Sequence, residues 1–322
     1  MRIVFVSRSV HYRDFAERIA VKLPTHQLVI AEDGRAPDLE GAQALVTAGA
    51  SVGRDLLAAS SLGFVQTLGT GFENVDVPAA TQLGVWVAHM RASATGNAES
   101  VAEHAVLLLL ALCRKLPAAR EALSRGAWAQ PQGMALLGRT VCVVGLGAIG
   151  TALAVRLRAF GMRVVGVREH PERGGPEGVE VLGADALHRA LGEADCVVLT
   201  LRADARNTHL LDEAALAAMK PGALLVNVAR GSLVKPEALE AALRSGRLAG
   251  AGLDVFWKEP VDPGHPLLHL PQVIATPHVA GVTDVNLARS TELIARNLEA
   301  FARGARPDFL VNAPPSPRQP LT

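Results

Sequence analysis

Three side chains far apart in the sequence, Arg230, Glu259 and His278, have the types needed to hold a small anion and move one proton. A planar guanidinium grips a carboxylate through paired hydrogen bonds, which suits Arg230. An imidazole is the side chain best matched to proton donation near neutral pH, which suits His278. It stays protonated only if an anion sits beside it; Glu259 is the candidate, because a nearby carboxylate raises an imidazole pKa and fixes the ring. Read singly, each has a bland alternative. Arg230 is a surface charge, Glu259-Pro260 a loop, and His278 after Pro277 an ordered loop histidine. Their shared position argues otherwise: each follows a predicted strand, and in an open parallel sheet strand ends face the ligand crevice.

A second signal is Val141-Cys142-Val143-Val144-Gly145-Leu146-Gly147-Ala148-Ile149-Gly150, a strand, a Gly-x-Gly-x-x-Gly turn and a helix start. Gly145 allows the tight turn, Gly147 lets backbone N–H groups approach a pyrophosphate, and Gly150 lets helix and strand pack closely. The helix N-terminus adds positive dipole. With a strand before it and another at Arg163, the turn predicts dinucleotide binding. The next strand should end in an acid for the ribose 2′-hydroxyl, yet Val164-Val165-Gly166-Val167 ends in Arg168, with Glu169 next. Arg168 suits a 2′-phosphate, so NADP is favoured over NAD. The competing reading gives Glu169 the hydroxyl and stacks Arg168 on adenine. Arg202 is a further candidate for the adenosine end, or a solvated loop residue.

The elements that must position these groups alternate along the chain. Predicted strands are Arg2–Ser7, 27–31, 44–47, 63–67 and 85–88, then 140–145, Arg163–Val167, Cys196–Leu199, 224–227, 250–254 and Val273–Ala275. The second-series runs are almost continuously apolar, which fits strands covered on both faces. Helical patterns lie between them, so the expected class is α/β, with two doubly wound parallel-sheet domains joined by a long helix, Asn97–Cys113. Expected boundaries are 1–96 for a first domain, 97–283 for the dinucleotide domain, 284–311 for a helix returning to the first, and 312–322 for a proline-rich disordered tail. The balance of 32 basic and 31 acidic residues, with no basic stripe, argues against nucleic acid or an anionic membrane as partner. No apolar run reaches membrane-spanning length, and no targeting segment is visible. Three scattered cysteines, Cys113, Cys142 and Cys196, fit neither a disulfide framework nor a metal site, so a reduced, cytoplasmic setting is expected and no metal is called for.

The chain resembles the D-isomer-specific 2-hydroxyacid dehydrogenases, which include glyoxylate/hydroxypyruvate reductases and phosphoglycerate dehydrogenases. The resemblance spans nearly the whole sequence. It rests on the blocks 68–76 (LGTGFENVD), 101–104 (VAEH), the glycine turn, 219–222 (MKPG), 227–231 (NVARG), 254–260 (DVFWKEP) and 276–281 (TPHVAG). It implies a Rossmann cofactor domain and a flavodoxin-like substrate domain with the active site in the cleft. It also implies hydride transfer between NAD(P)H and a small 2-oxo or D-2-hydroxy acid, with the nicotinamide supplying the hydride. Arg230 would bind the carboxylate, and His278, paired with Glu259, would be the general acid/base. By the same resemblance, backbone at Thr70 and Gly71 helps hold the carboxylate, and Asp254 bonds the nicotinamide carboxamide. Val228, Ala229 and Gly281 line the nicotinamide pocket with Val101 nearby, and Ala148 and Ile149 present N–H groups to the pyrophosphate. A homodimer is implied too, consistent with the apolar long helix and the Trp128 segment. The sequence departs from the family's usual pattern at Arg168, Arg202 and Trp257, which touches cofactor choice and pocket shape. Two alternatives stand: a dinucleotide-sensing corepressor-like protein on the same fold, and a formate or phosphite dehydrogenase, although formate enzymes use Gln in the role of Glu259.

Overall fold

The computed structural model describes residues 1–7, 12–31 and 37–320. The chain forms two compact units, Met1–Gly96 with Thr283–Thr322, and Asn97–Val282.

The first unit carries five parallel strands, β1 (Arg2–Ser7), β2 (Gln27–Ile30), β3 (Ala44–Ala48), β4 (Phe64–Thr67) and β5 (Trp86–Ala88), in the order β2-β1-β3-β4-β5. That is the flavodoxin-like order. Alternating side chains serve two cores. On one face Ile3, Phe5, Val46 and Phe64 pack with Phe15 and Ile19 of the helix Arg13–Lys22. The same cluster takes Leu293, Ile294, Leu298 and Phe301 from the helix Asp284–Ala302. On the other face Val4, Leu45, Val65 and Val87 pack with Leu57, Ala79 and Ala80. The late helix is therefore part of this unit's core. Thr283 caps it, its Oγ1 accepting from the Asn286 amide at 3.3 Å.

The second unit has seven parallel strands, β6 (Thr140–Val144), β7 (Arg163–Val167), β8 (Glu180–Leu182), β9 (Cys196–Leu199), β10 (Ala223–Asn227), β11 (Leu248–Leu253) and β12 (Val273–Ala275). Their order is β12-β11-β10-β9-β6-β7-β8. Counted from β6 this is the Rossmann order with one strand added, and the order reverses between β6 and β9, where such sheets bind dinucleotides. The helix Asn97–Cys113 belongs to this unit and packs on the helix Ala148–Ala159 and on β10 to β12. Gly252 makes that approach possible, since a Cβ there would lie 3.0 Å from Leu108 Cβ.

Two expectations need correction. β8 has no counterpart among the predicted strands: it is a three-residue edge strand with no fully buried residue, so its apolar signal is weak. Residues 312–320, expected as a disordered tail, lie against the first unit. Asn312 Oδ1 accepts from the Val87 amide at 2.8 Å, and Arg318 Nη1 donates to the carbonyls of Ser60 and Leu62 at 2.9 and 3.0 Å. Prolines restrict this segment without preventing its side chains from satisfying buried carbonyls. Residues 321 and 322 of the expected tail lie outside the described residues.

Candidate active site

The glycine turn joins β6 to the helix Ala148–Ala159. Gly145 has φ +104°, and a Cβ there would sit 2.6 Å from the Leu201 backbone. A Cβ on Gly150 would meet the Gly145 carbonyl oxygen at 1.9 Å, so only glycine lets helix and turn pack this closely. Thr200 Oγ1 donates to that same carbonyl at 2.7 Å. Gly147 differs: nothing lies within 4 Å of where its Cβ would be. Thr151 N donates to Gly147 O, so the amides of Ala148 and Ile149 precede this bond at the helix start. An open glycine beside a helix N-terminus fits a pyrophosphate.

Arg168 lies just past β7. Its Nη1 donates to Gly174 O at 2.6 Å, which uses one of the five guanidinium N–H groups. Glu169 pairs instead with Arg206, Nη1 to Oε1 at 3.1 Å, and Arg206 also holds Asp204 at 2.8 Å. These three side chains are exposed. Arg202 is exposed, and its carbonyl accepts from Asn207 Nδ2 at 2.8 Å.

In the other half of the sheet, Arg230 follows β10, Glu259 lies in the loop after β11, and His278 follows β12. His278 Nδ1 lies 2.7 Å from Glu259 Oε2, and the Phe256 amide donates to Glu259 Oε1 at 3.0 Å. The hydrogen bond that His278 donates to Glu259 holds its pKa above the ordinary value; burial opposes this, while the charges of Glu259 and Asp254 reinforce it. Burial pushes the Glu259 carboxyl up, but the bond and charge of His278, the Phe256 amide and Arg230 outweigh it, and the group lies below its ordinary value. With Nδ1 turned to the carboxylate, Nε2 is the atom left to carry a transferable proton.

Close packing brings the Arg230 loop to the Glu259 loop. A Cβ on Gly231 would lie 2.2 Å from the Phe256 carbonyl carbon, so this position admits only glycine without a shift. Trp257 Nε1 donates to Val234 O at 2.6 Å and the ring stacks on His265, binding the same two loops together. Asp254, fully buried, organises the segment that carries His278: its carboxylate accepts from Thr276 Oγ1 at 2.6 Å and from the Val279 and Ala280 amides at 2.9 and 3.0 Å. Val228 and Ala229 are buried just after β10, and Val101 shares an apolar cluster with Val228 and Ala280. Gly281 follows Ala280 at the end of this loop.

Thr70 and Gly71 belong to the first unit, in the loop after β4. His89 Nδ1 lies 3.0 Å from Thr70 O. Sequence reasoning missed Gly231, Thr276 and Arg206. Gly231 and Thr276 had a signal, since they lie in the blocks 227–231 and 276–281, but no role was read for either.

The profile of the D-isomer specific 2-hydroxyacid dehydrogenase NAD binding domain matches residues 106–280. The chain is 38% identical over 265 residues to a glyoxylate reductase of Thermofilum pendens, covering 79% of this chain and 76% of that protein. It is 42% identical over 244 residues to a D-3-phosphoglycerate dehydrogenase of Mycobacterium bovis, covering 74% of this chain and 45% of that longer protein. The crystal structure of an NADPH-dependent glyoxylate/hydroxypyruvate reductase from Sinorhizobium meliloti, in complex with NADP and malonate, superposes with a TM-score of 0.85 at 31% identity, covering 99% of each chain.

Proposed function

This chain belongs to the D-isomer-specific 2-hydroxyacid dehydrogenase family and carries out NAD(P)-dependent reduction of 2-oxo acids; from that premise we propose that Arg230, Glu259 and His278 are its catalytic residues. The observation that carries the proposal is the 2.7 Å contact between His278 and Glu259, at strand ends shared with Arg230. Arg230 binds the substrate carboxylate. His278 Nε2 gives its proton to the carbonyl oxygen as C2 is reduced, leaving a neutral imidazole and a 2-hydroxy acid. Glu259 stabilises the imidazolium before transfer and fixes the ring. When bound, the nicotinamide supplies the hydride that reduces C2. For Thr70 and Gly71 the proposed role is carboxylate binding through backbone N–H groups. Gly145, Gly147, Ala148, Ile149 and Gly150 would hold the pyrophosphate, and Val101, Val228, Ala229, Asp254 and Gly281 the nicotinamide end. Glu259 is a carboxylate rather than an amide, which supports this reading over a formate-type enzyme.

We further propose NADP as the preferred cofactor. Arg168 supplies the cation for a 2′-phosphate, and the pairing of Glu169 with Arg206 offsets the negative charge beside it. Arg202 keeps its proposed place at the adenosine end. Exposed Leu107, Leu116, Leu123, Trp128 and Leu137 support a homodimer through the second unit, as does Trp128's 85% exposure. A reduced, cytoplasmic setting is proposed from three buried free thiols. Among the described residues no helix is long and apolar enough to cross a membrane.

The test is a panel of 2-oxo acids assayed with NADH and NADPH separately. Turnover with small 2-oxo acids that is faster with NADPH supports the reading; equal or faster use of NADH overturns the cofactor assignment. A light-scattering mass near 33.7 kDa would overturn the dimer.

A further inference from the structure

The segment carrying His278 is tied to a polar cluster that proton transfer does not itself use. His104, on the helix Asn97–Cys113, has its Nε2 2.9 Å from Thr276 Oγ1 and 3.5 Å from Asp254 Oδ1. The Thr276 hydroxyl has one hydrogen, and it goes to Asp254 Oδ1 at 2.6 Å. Toward His104 that hydroxyl is therefore an acceptor, and His104 Nε2 carries the hydrogen between them. Asp254 receives the Val279 and Ala280 amides on its carboxylate and the His278 amide on its backbone carbonyl, the last at 2.8 Å. All these donors come from residues 276–280. His278 itself has φ +55°, a conformation that side-chain-bearing residues seldom adopt, so something must hold it there.

We propose that His104 is a positioning residue for His278, acting through Thr276 and Asp254 to hold the 276–280 loop so that the imidazole stays against Glu259. The proposal rests on the reading of His278 as proton donor. Without the His104 donor the Thr276 hydroxyl can turn from Asp254, and the loop loses one of its side-chain ties. The charged groups bearing on His278 are Glu259, Asp254 and Arg230. A variant that leaves all three in place and still moves the titration of His278 reports a change in geometry. Loosened contact with Glu259 lets His278 lose its proton at lower pH, so kcat for reduction falls away earlier as pH rises.

The experiment compares His104→Leu, His104→Gln, Thr276→Val and His278→Asn for kcat, KM, NADPH affinity by fluorescence titration, and the pH dependence of kcat. His104→Leu is expected to lower kcat about tenfold, a change of about 1.4 kcal/mol in the barrier. Its high-pH limb should move to lower pH, with KM and cofactor affinity within about threefold of the parent. His104→Gln, whose amide can donate from a similar position, should restore both kcat and the limb, and Thr276→Val should reproduce His104→Leu. Parent-like kcat and limb in His104→Leu, or an effect confined to KM or cofactor affinity, overturns the proposal. If His104→Leu does not fold, Thr276→Val decides by the same criteria. Parent-like activity in His278→Asn would overturn the reading of His278; an inactive His278→Asn beside a parent-like His104→Leu overturns this inference alone.

Discussion

At one end of the second unit Glu259, Asp254 and His278 are held by backbone amides and by one another, with Asp254 fully buried. At the other, Glu169, Asp204 and Arg206 pair across exposed loops, and Arg168 is only half-buried. The buried Asp254 carboxylate is screened little, and the partly exposed His278 and Glu259 have a fixed partner in each other; the exposed pairs of the second setting compete with water and salt. The same kinds of side chain should therefore decide whether chemistry occurs at one end, and tune which cofactor is used at the other.

The largest effect tests the first half of that contrast. His278→Asn is expected to lower turnover by about 10²–10⁴ while cofactor still binds, since it removes the general acid. Turnover within about threefold of the parent would break the mechanism. Next comes the pH profile. Reduction needs His278 protonated and Glu259 ionised, so the rate should fall as pH rises through the raised pKa of His278, and fall again as pH drops through the lowered pKa of Glu259. Glu259→Gln removes the anion, so its high-pH limb should move to lower pH; an unmoved limb would show that Glu259 does not set the imidazole's proton affinity.

Smaller effects belong to the exposed end. Arg168→Asp should lower the NADPH-to-NADH ratio of kcat/KM by about ten- to a hundredfold, the worth of a charge-assisted bond. A ratio unchanged by the substitution would remove Arg168 from cofactor choice. Arg206→Ala should change that ratio by less than about threefold, because exposed pairs contribute little. A tenfold change there would break the contrast between the two ends.

Much of this arrangement is legible in the sequence. Strands such as Cys196–Leu199 and Val273–Ala275 are apolar runs with clear limits, and the glycine turn has a fixed spacing. The helix Asn97–Cys113 has the expected bounds because a polar start and the Arg114-Lys115 pair just past its end enclose its apolar run. What escaped depends on contacts without a local signature. Asp254 gathers backbone amides, and amides look alike in any sequence. Thr276 matters through a partner on a distant helix, His104. The tail's proline content suggests disorder, and nothing in it reveals that Arg318 satisfies two carbonyls.

The return of the helix Asp284–Ala302 to the first unit also has a consequence for synthesis. Asn97–Val282 is continuous in sequence, whereas the first sheet lacks Leu293, Ile294, Leu298 and Phe301 until the helix Asp284–Ala302 has been made. At about 5–20 residues per second, that wait lasts on the order of ten seconds or more. Throughout it, the apolar face of β1, β3 and β4 has no late helix to cover it, and Gln66 lacks its buried partner Asn297. The five-stranded sheet, though made before the seven-stranded one, is thus completed after it, and in the interval its uncovered apolar face is open to aggregation.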